Sequence, residues 1–87
     1  MSRPNQPRTI GAESAVAERM RKARESFGWS YGRMAAEMTE QGCPINASAL
    51  WKIDNVTPPR RITVDEMAAF EAAVSAHVAR IGQEWDR

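Results

Sequence analysis

The stretch Pro44-Ile45-Asn46-Ala47-Ser48-Ala49-Leu50-Trp51-Lys52-Ile53-Asp54-Asn55 decides how the whole chain is read. Asn46 is a good helix N-cap, because its side-chain oxygen accepts a bond from an orphan backbone N–H of the first turn. Ile45 and Leu50 flank it at the two positions of a hydrophobic staple. Leu50 and Ile53, three residues apart, give a helix over Ala47–Asn55 one narrow apolar side. Ala47, Ser48 and Lys52 carry neither a strong charge pattern nor a catalytic group. A helix with so plain an outer face is built to be laid against something.

The same grammar recurs twice. Ser30 and Thr63 are further N-caps, flanked by Trp29 with Met34 and by Ile62 with Met67. Glu66, three residues after Thr63, completes a capping box. A helix is therefore expected over Tyr31–Gln41, with Met34, Ala35 and Met38 facing inward. Gly42-Cys43-Pro44 stops it, since proline lacks the donor and biases its predecessor away from helix. Thr57-Pro58-Pro59 enforces a loop after Asn55, and a last helix begins near Val64. Met67, Phe70, Val74, Val78, Ile81 and Trp85 keep a spacing of 3 or 4, so this helix extends to about residue 85. Ahead of these, Val16, Met20, Ala23 and Phe27 form the stripe of a helix over Ala12–Phe27, ended by Gly28. No strand signal competes, and there are no internal repeats. The fold class expected is an all-α bundle of four to five helices with a long C-terminal helix.

At 87 residues, 43% of them hydrophobic and 26% charged, the chain has the size and composition of one small folded domain. Residues 1–11, with two prolines, a glycine and two arginines, read as a flexible arm, leaving 12–87 as the domain. No apolar run approaches the roughly 18 residues needed to span a bilayer, and the arm lacks the apolar segment of a secretory signal. One cysteine, Cys43, excludes an intramolecular disulfide, and with one histidine it argues against structural zinc. A cytoplasmic protein without a cofactor is expected. The net charge of +1 hides an asymmetry: residues 1–61 carry +4 and residues 62–87 carry −3. A basic front suits a polyanion.

Two short helices joined by a tight glycine-containing turn, behind one helix and ahead of another, have the arrangement of a helix-turn-helix. Here the sequence resembles the lambda-repressor-like (Xre-type) DNA-binding domains, over about Val16 to Phe70. The resemblance rests on Ser30…Met34-Ala35, on Ile45-Asn46…Leu50…Ile53-Asp54, and on Arg61…Val64-Asp65-Glu66-Met67. Gln41-Gly42-Cys43-Pro44-Ile45 looks like the longer turn of actinobacterial members. The family often sets an arginine of the first helix against an acid at the end of the reading helix, and Arg24 and Asp54 stand there. The chain departs from the pattern at Tyr31, where glutamine is usual, at Val56, where glycine is usual, and at Asp54, shorter than the usual glutamate. Ala47 and Ser48 also replace the frequent Gln or Arg.

The resemblance implies double-stranded DNA as partner, with helix 47–55 in the major groove and its N-terminal end toward the base edges. Ala47 would then touch a thymine methyl, Ser48 would donate or accept at a base, and Lys52 would reach a guanine edge or a phosphate. Asn46 would open the helix beside the groove. Tyr31, Asn55, Arg60 and Arg61 would hold phosphates, the two arginines following a stiff Pro-Pro. Arg3 and Arg8 on the arm either enter a minor groove or have no role. Trp51 is expected to pack beneath the last helix, buried tryptophan being the commoner case, with a dimer contact or the DNA face as alternatives.

Val74, Val78, Ile81 and Trp85 exceed what three short helices obviously cover. They either form a dimer contact between two copies or fold back on the first helix. A twofold dimer would present two reading helices to half-sites one turn of DNA apart. Cys43 reads as an inert turn thiol and His77 as a surface or interface residue, and nothing supports an enzyme. The expectation is a small bacterial, phage or plasmid transcriptional regulator, more naturally a repressor, since these residues show no activation or effector domain. The competing class is a protein-interaction module, an antitoxin or adaptor, gripping a partner protein with the same surface or with the C-terminal helix.

Overall fold

The computed structural model describes the backbone of residues 11–85 and the side chains of residues 11–84. The arm expected over residues 1–11, with Arg3 and Arg8, lies outside the described residues except for Gly11, and so does the side chain of Trp85. The protein is all-α: α1 (Glu13–Phe27), α2 (Tyr31–Glu40), α3 (Ala47–Asn55) and α4 (Val64–Trp85). No strand occurs among the described residues, and none of their helices is long and apolar enough to cross a membrane.

Local chemistry sets these boundaries. The Ser30 hydroxyl accepts from the Arg33 N–H at 3.0 Å, and Asn46 Oδ1 accepts from the Ala49 N–H at 2.8 Å. At α4 the capping box closes both ways: Thr63 Oγ1 accepts from the Glu66 N–H and Glu66 Oε1 from the Thr63 N–H, at 3.0 and 2.9 Å. α1 differs, starting at Ala12 with no side-chain cap. Its Glu13 instead accepts from the Ile62 N–H at 3.3 Å, tying the start of α1 to the loop before α4. α1 ends at Gly28, whose φ of 67° is the left-handed geometry that satisfies the last carbonyls. Between α2 and α3, the Thr39 hydroxyl donates to the Ile45 carbonyl and accepts from the Ile45 N–H, which folds the turn back on itself.

The staple residues all reach the core. Trp29, Met34, Leu50 and Ile62 are buried, while Ile45 and Met67 pack partly buried against them. Val16, Ala17 and Met20 of α1, Met38 of α2, Ile53 of α3, and Ala69, Phe70 and Ala73 of α4 complete it. α2 lies at the centre, packed against both α3 and α4, and α1 touches the same two helices. An ion pair between Arg19 and Glu71 joins α1 to α4 on the outside.

Two side chains sit elsewhere than the sequence reading places them, and one alternative it left open narrows. Trp51 does not pack beneath α4; it is 50% exposed. With Leu50 and Ile53 inward, a period of 3.6 turns residue 51 outward. His77, read as a surface or interface residue, is half-buried against the bundle's own aromatic side chains. Seven residues after Phe70, it stays on the inward stripe of α4, its ring 4.5 Å from Phe27 and 4.8 Å from Trp29, centroid to centroid. Val74 belongs to the protein's own core, whereas Val78 is 53% exposed and Ile81 half-buried. Among the described residues, the apolar stripe of α4 therefore divides: Phe70 and Val74 close the bundle, and Val78 one turn on faces out.

Candidate nucleic-acid interface

The outward side of α3 carries Ser48, Trp51, Lys52 and Asn55, all exposed. Their spacing of three, one and three is that of one helical face. Ala47 is half-buried at its edge. Asn46 is exposed, its Oδ1 spent on the cap and its amide nitrogen left over. Among the described residues no carboxylate pairs with Lys52, nor with exposed Arg61 on the loop that follows α3.

The inward side of α3 is fixed by more than Leu50 and Ile53. The Arg24 guanidinium reaches Asp54 at 3.5 Å, as the family resemblance implies, with Arg21 further off at 3.8 Å. The Tyr31 hydroxyl donates to Asp54 Oδ2 at 2.6 Å. Arg24 also donates to the Trp29 carbonyl at 3.1 Å and lies over the Tyr31 ring at 4.3 Å. Finally, the Asn55 amide donates to the Tyr31 hydroxyl at 3.1 Å and to the Trp51 carbonyl at 3.0 Å. Arg24, Tyr31, Asp54 and Asn55 thus make one network from α1 through the start of α2 to the end of α3.

This network already occupies two of the phosphate-holding candidates. The one hydrogen of the Tyr31 hydroxyl is committed to Asp54, so donating it to a phosphate requires that bond to break. The Asn55 amide nitrogen is likewise engaged, with the Tyr31 hydroxyl and the Trp51 carbonyl. Arg60 is also committed. It pairs with Glu66 at 2.6 Å and donates to the Arg61 carbonyl, becoming part of the α4 capping box. Burial pushes the Glu66 carboxyl up, but the hydrogen bonds from Arg60 and Thr63 outweigh it and hold it below the ordinary carboxylate value. Arg61, one residue on, remains exposed.

Sequence reasoning therefore finds the helix, its caps and the Arg24–Asp54 pair. It misses the exposure of Trp51 and the two hydrogen bonds that bind Tyr31 into the network. The signal for Trp51 is the helical period itself; the partnership of Tyr31 with Asp54, 23 residues away, has no local signal. Cys43, in the turn before α3, is half-buried. Burial, then Glu66 and Asp65, push its thiol up, which keeps it protonated and inert at neutral pH. No group of three or more metal-ligating side chains occurs among the described residues. Compared with protein-family models, curated proteins and solved structures, the chain matches none.

Proposed function

We propose that the protein binds double-stranded DNA in a sequence-specific manner, with α3 laid in the major groove, and acts as a small transcriptional regulator. It works as a repressor by occupying its site, in the cytoplasm at the bacterial nucleoid, as a twofold dimer. The observation that carries this reading is the contrast across α3. Its inner side and exit are fastened to α1 and α2 by the Arg24–Tyr31–Asp54–Asn55 network. Its outer side presents Ser48, Lys52 and Asn55, with Arg61 alongside, and no acid neutralises either cation among the described residues. A rigidly held helix with hydrogen-bonding groups at its N-terminal end and free cations around it suits base edges flanked by phosphates. The resemblance to lambda-repressor-like domains supports the same assignment.

Selection of random duplexes by the purified protein, followed by sequencing, tests it. A two-part palindrome is expected, its spacing giving the separation of two α3 helices. Lys52→Ala and Arg61→Ala should each weaken binding and lower the salt slope by about 1 for every phosphate the variant no longer neutralises. Neither should change folding stability by more than about 0.5 kcal/mol, since both side chains are exposed. Parent-like binding by both variants would remove α3 from the groove, and no binding at low salt would end the DNA reading. The exposure of Trp51 favours a second reading, a protein-interaction module in which this face grips a partner protein. Binding to such a partner would persist as salt rises, whereas binding through phosphates weakens steeply.

A further inference from the structure

We infer that Trp51 reads thymine: its indole is the apolar contact through which the protein distinguishes a thymine methyl from the other groups of the major groove. The inference rests on the DNA-binding reading above and adds a specificity determinant to it.

Among the described residues, Trp51, Val56, Val64 and Val78 are the large apolar side chains left substantially exposed, and only Trp51 lies within α3. It is 50% exposed, whereas Trp29 is 5% exposed and surrounded by Phe27, His77 and Arg33. Among the described residues the Trp51 ring pairs with no aromatic ring and no cation. No described residue covers the exposed half of this ring, and on the DNA-binding reading that half stands on the face turned to the groove.

The direction of the side chain narrows that partner. Helical side chains lean toward the N-terminus, so a ring rooted at residue 51 covers the turn at Ala47 and Ser48. That turn is the end of a reading helix that approaches base edges. Ala47 and Ser48 are small, so the indole over them makes a flat apolar plate beside one hydroxyl. The major-groove edges of G, C and A offer only donors and acceptors, while thymine adds a methyl group. The apolar plate has one apolar counterpart in the groove.

Replacing thymine by deoxyuridine, one position at a time, in the duplex that the protein selects removes only that methyl. At one or more positions in each half-site the wild type should lose roughly fourfold in affinity, the value of one buried methyl. Trp51→Ala should bind the same duplex more weakly and show no further loss at those positions. Thermal unfolding checks that this variant keeps its fold, and Trp51→Gln, of similar reach but polar, serves as the second variant with the same expected insensitivity. The inference fails if no thymine is sensitive, or if both variants keep the wild-type pattern of sensitivity. It also fails if they lose affinity equally for selected and random duplexes, which would put the ring on the sugar-phosphate backbone. Selective duplex binding with any of these results overturns the role of Trp51 and leaves the DNA reading standing; absence of selective binding overturns both.

Discussion

Asp54 and Glu37 are almost equally hidden, their side chains 12% and 11% exposed, but they keep different company. Asp54 is held by a tyrosine hydroxyl at 2.6 Å and by Arg24, whose own side chain is only 19% exposed. Glu37, on α2, is held by Arg33 at 3.1 Å and by Arg80 of α4 at 3.3 Å, and those arginines are 52% and 49% exposed. Burial of the acid alone does not set the strength of an ion pair. What decides is whether the cation can return to water when the acid is gone. Arg33 and Arg80 can. Arg24 cannot do so without leaving the Tyr31 ring and the Trp29 carbonyl, and its Nε is already buried without a partner among the described residues.

Asp54→Ala is the sharpest way to break the contrast. It strands a mostly buried guanidinium and should cost about 3 kcal/mol in denaturant unfolding. A loss under 1 kcal/mol would make the Asp54 cluster no stronger than a surface pair. Tyr31→Phe should cost less, about 1.5 kcal/mol, because Arg24 and Arg21 still serve the carboxylate while one charge-assisted hydrogen bond disappears. The same variant releases the Asn55 amide from its bond to the tyrosine hydroxyl.

The two clusters also differ in how far the sequence reveals them. Caps and staples involve residues within five positions of each other, so Ser30, Asn46, Thr63 and Glu66 announce three of the four helix starts. The first helix start, with no cap at Ala12, still emerges from the stripe Val16, Met20 and Phe27. Arg24 and Asp54, 30 residues apart, are not announced by spacing; only the proposed resemblance to lambda-repressor-like domains suggests their pairing. Nothing comparable exists for Arg33, Glu37 and Arg80. Arg33 and Glu37 are an ordinary four-residue helix pair, and Arg80, 43 residues on, joins them only because α4 crosses α2. Trp51 escapes for another reason: the general preference for buried tryptophan points one way and the period set by Leu50 and Ile53 points the other. Where a local geometric rule and a compositional tendency conflict in this chain, the geometry wins.

The smallest effect lies at Glu37 and is best read through pH. Burial pushes its carboxyl up, but the hydrogen bonds from Arg33 and Arg80 outweigh this and leave it below the ordinary value of 4.5. A carboxyl lowered in the folded state adds stability above the unfolded value and loses it as pH falls through the folded one. Glu66, lowered too, contributes with the same sign. Stability should therefore decline as pH drops below about 4.5, with both groups on the slope. At pH 7 Glu37→Gln should cost no more than about 1 kcal/mol, because both arginines are half in water. Its acid slope should be shallower, with Glu66 still present, so the variant and the parent should converge in stability at the acid end. A difference that persists there would mean that Glu37 acts through packing between α2 and α4. A difference at pH 7 as large as that of Asp54→Ala would mean that the exposure of the partner arginines does not set the strength of these pairs.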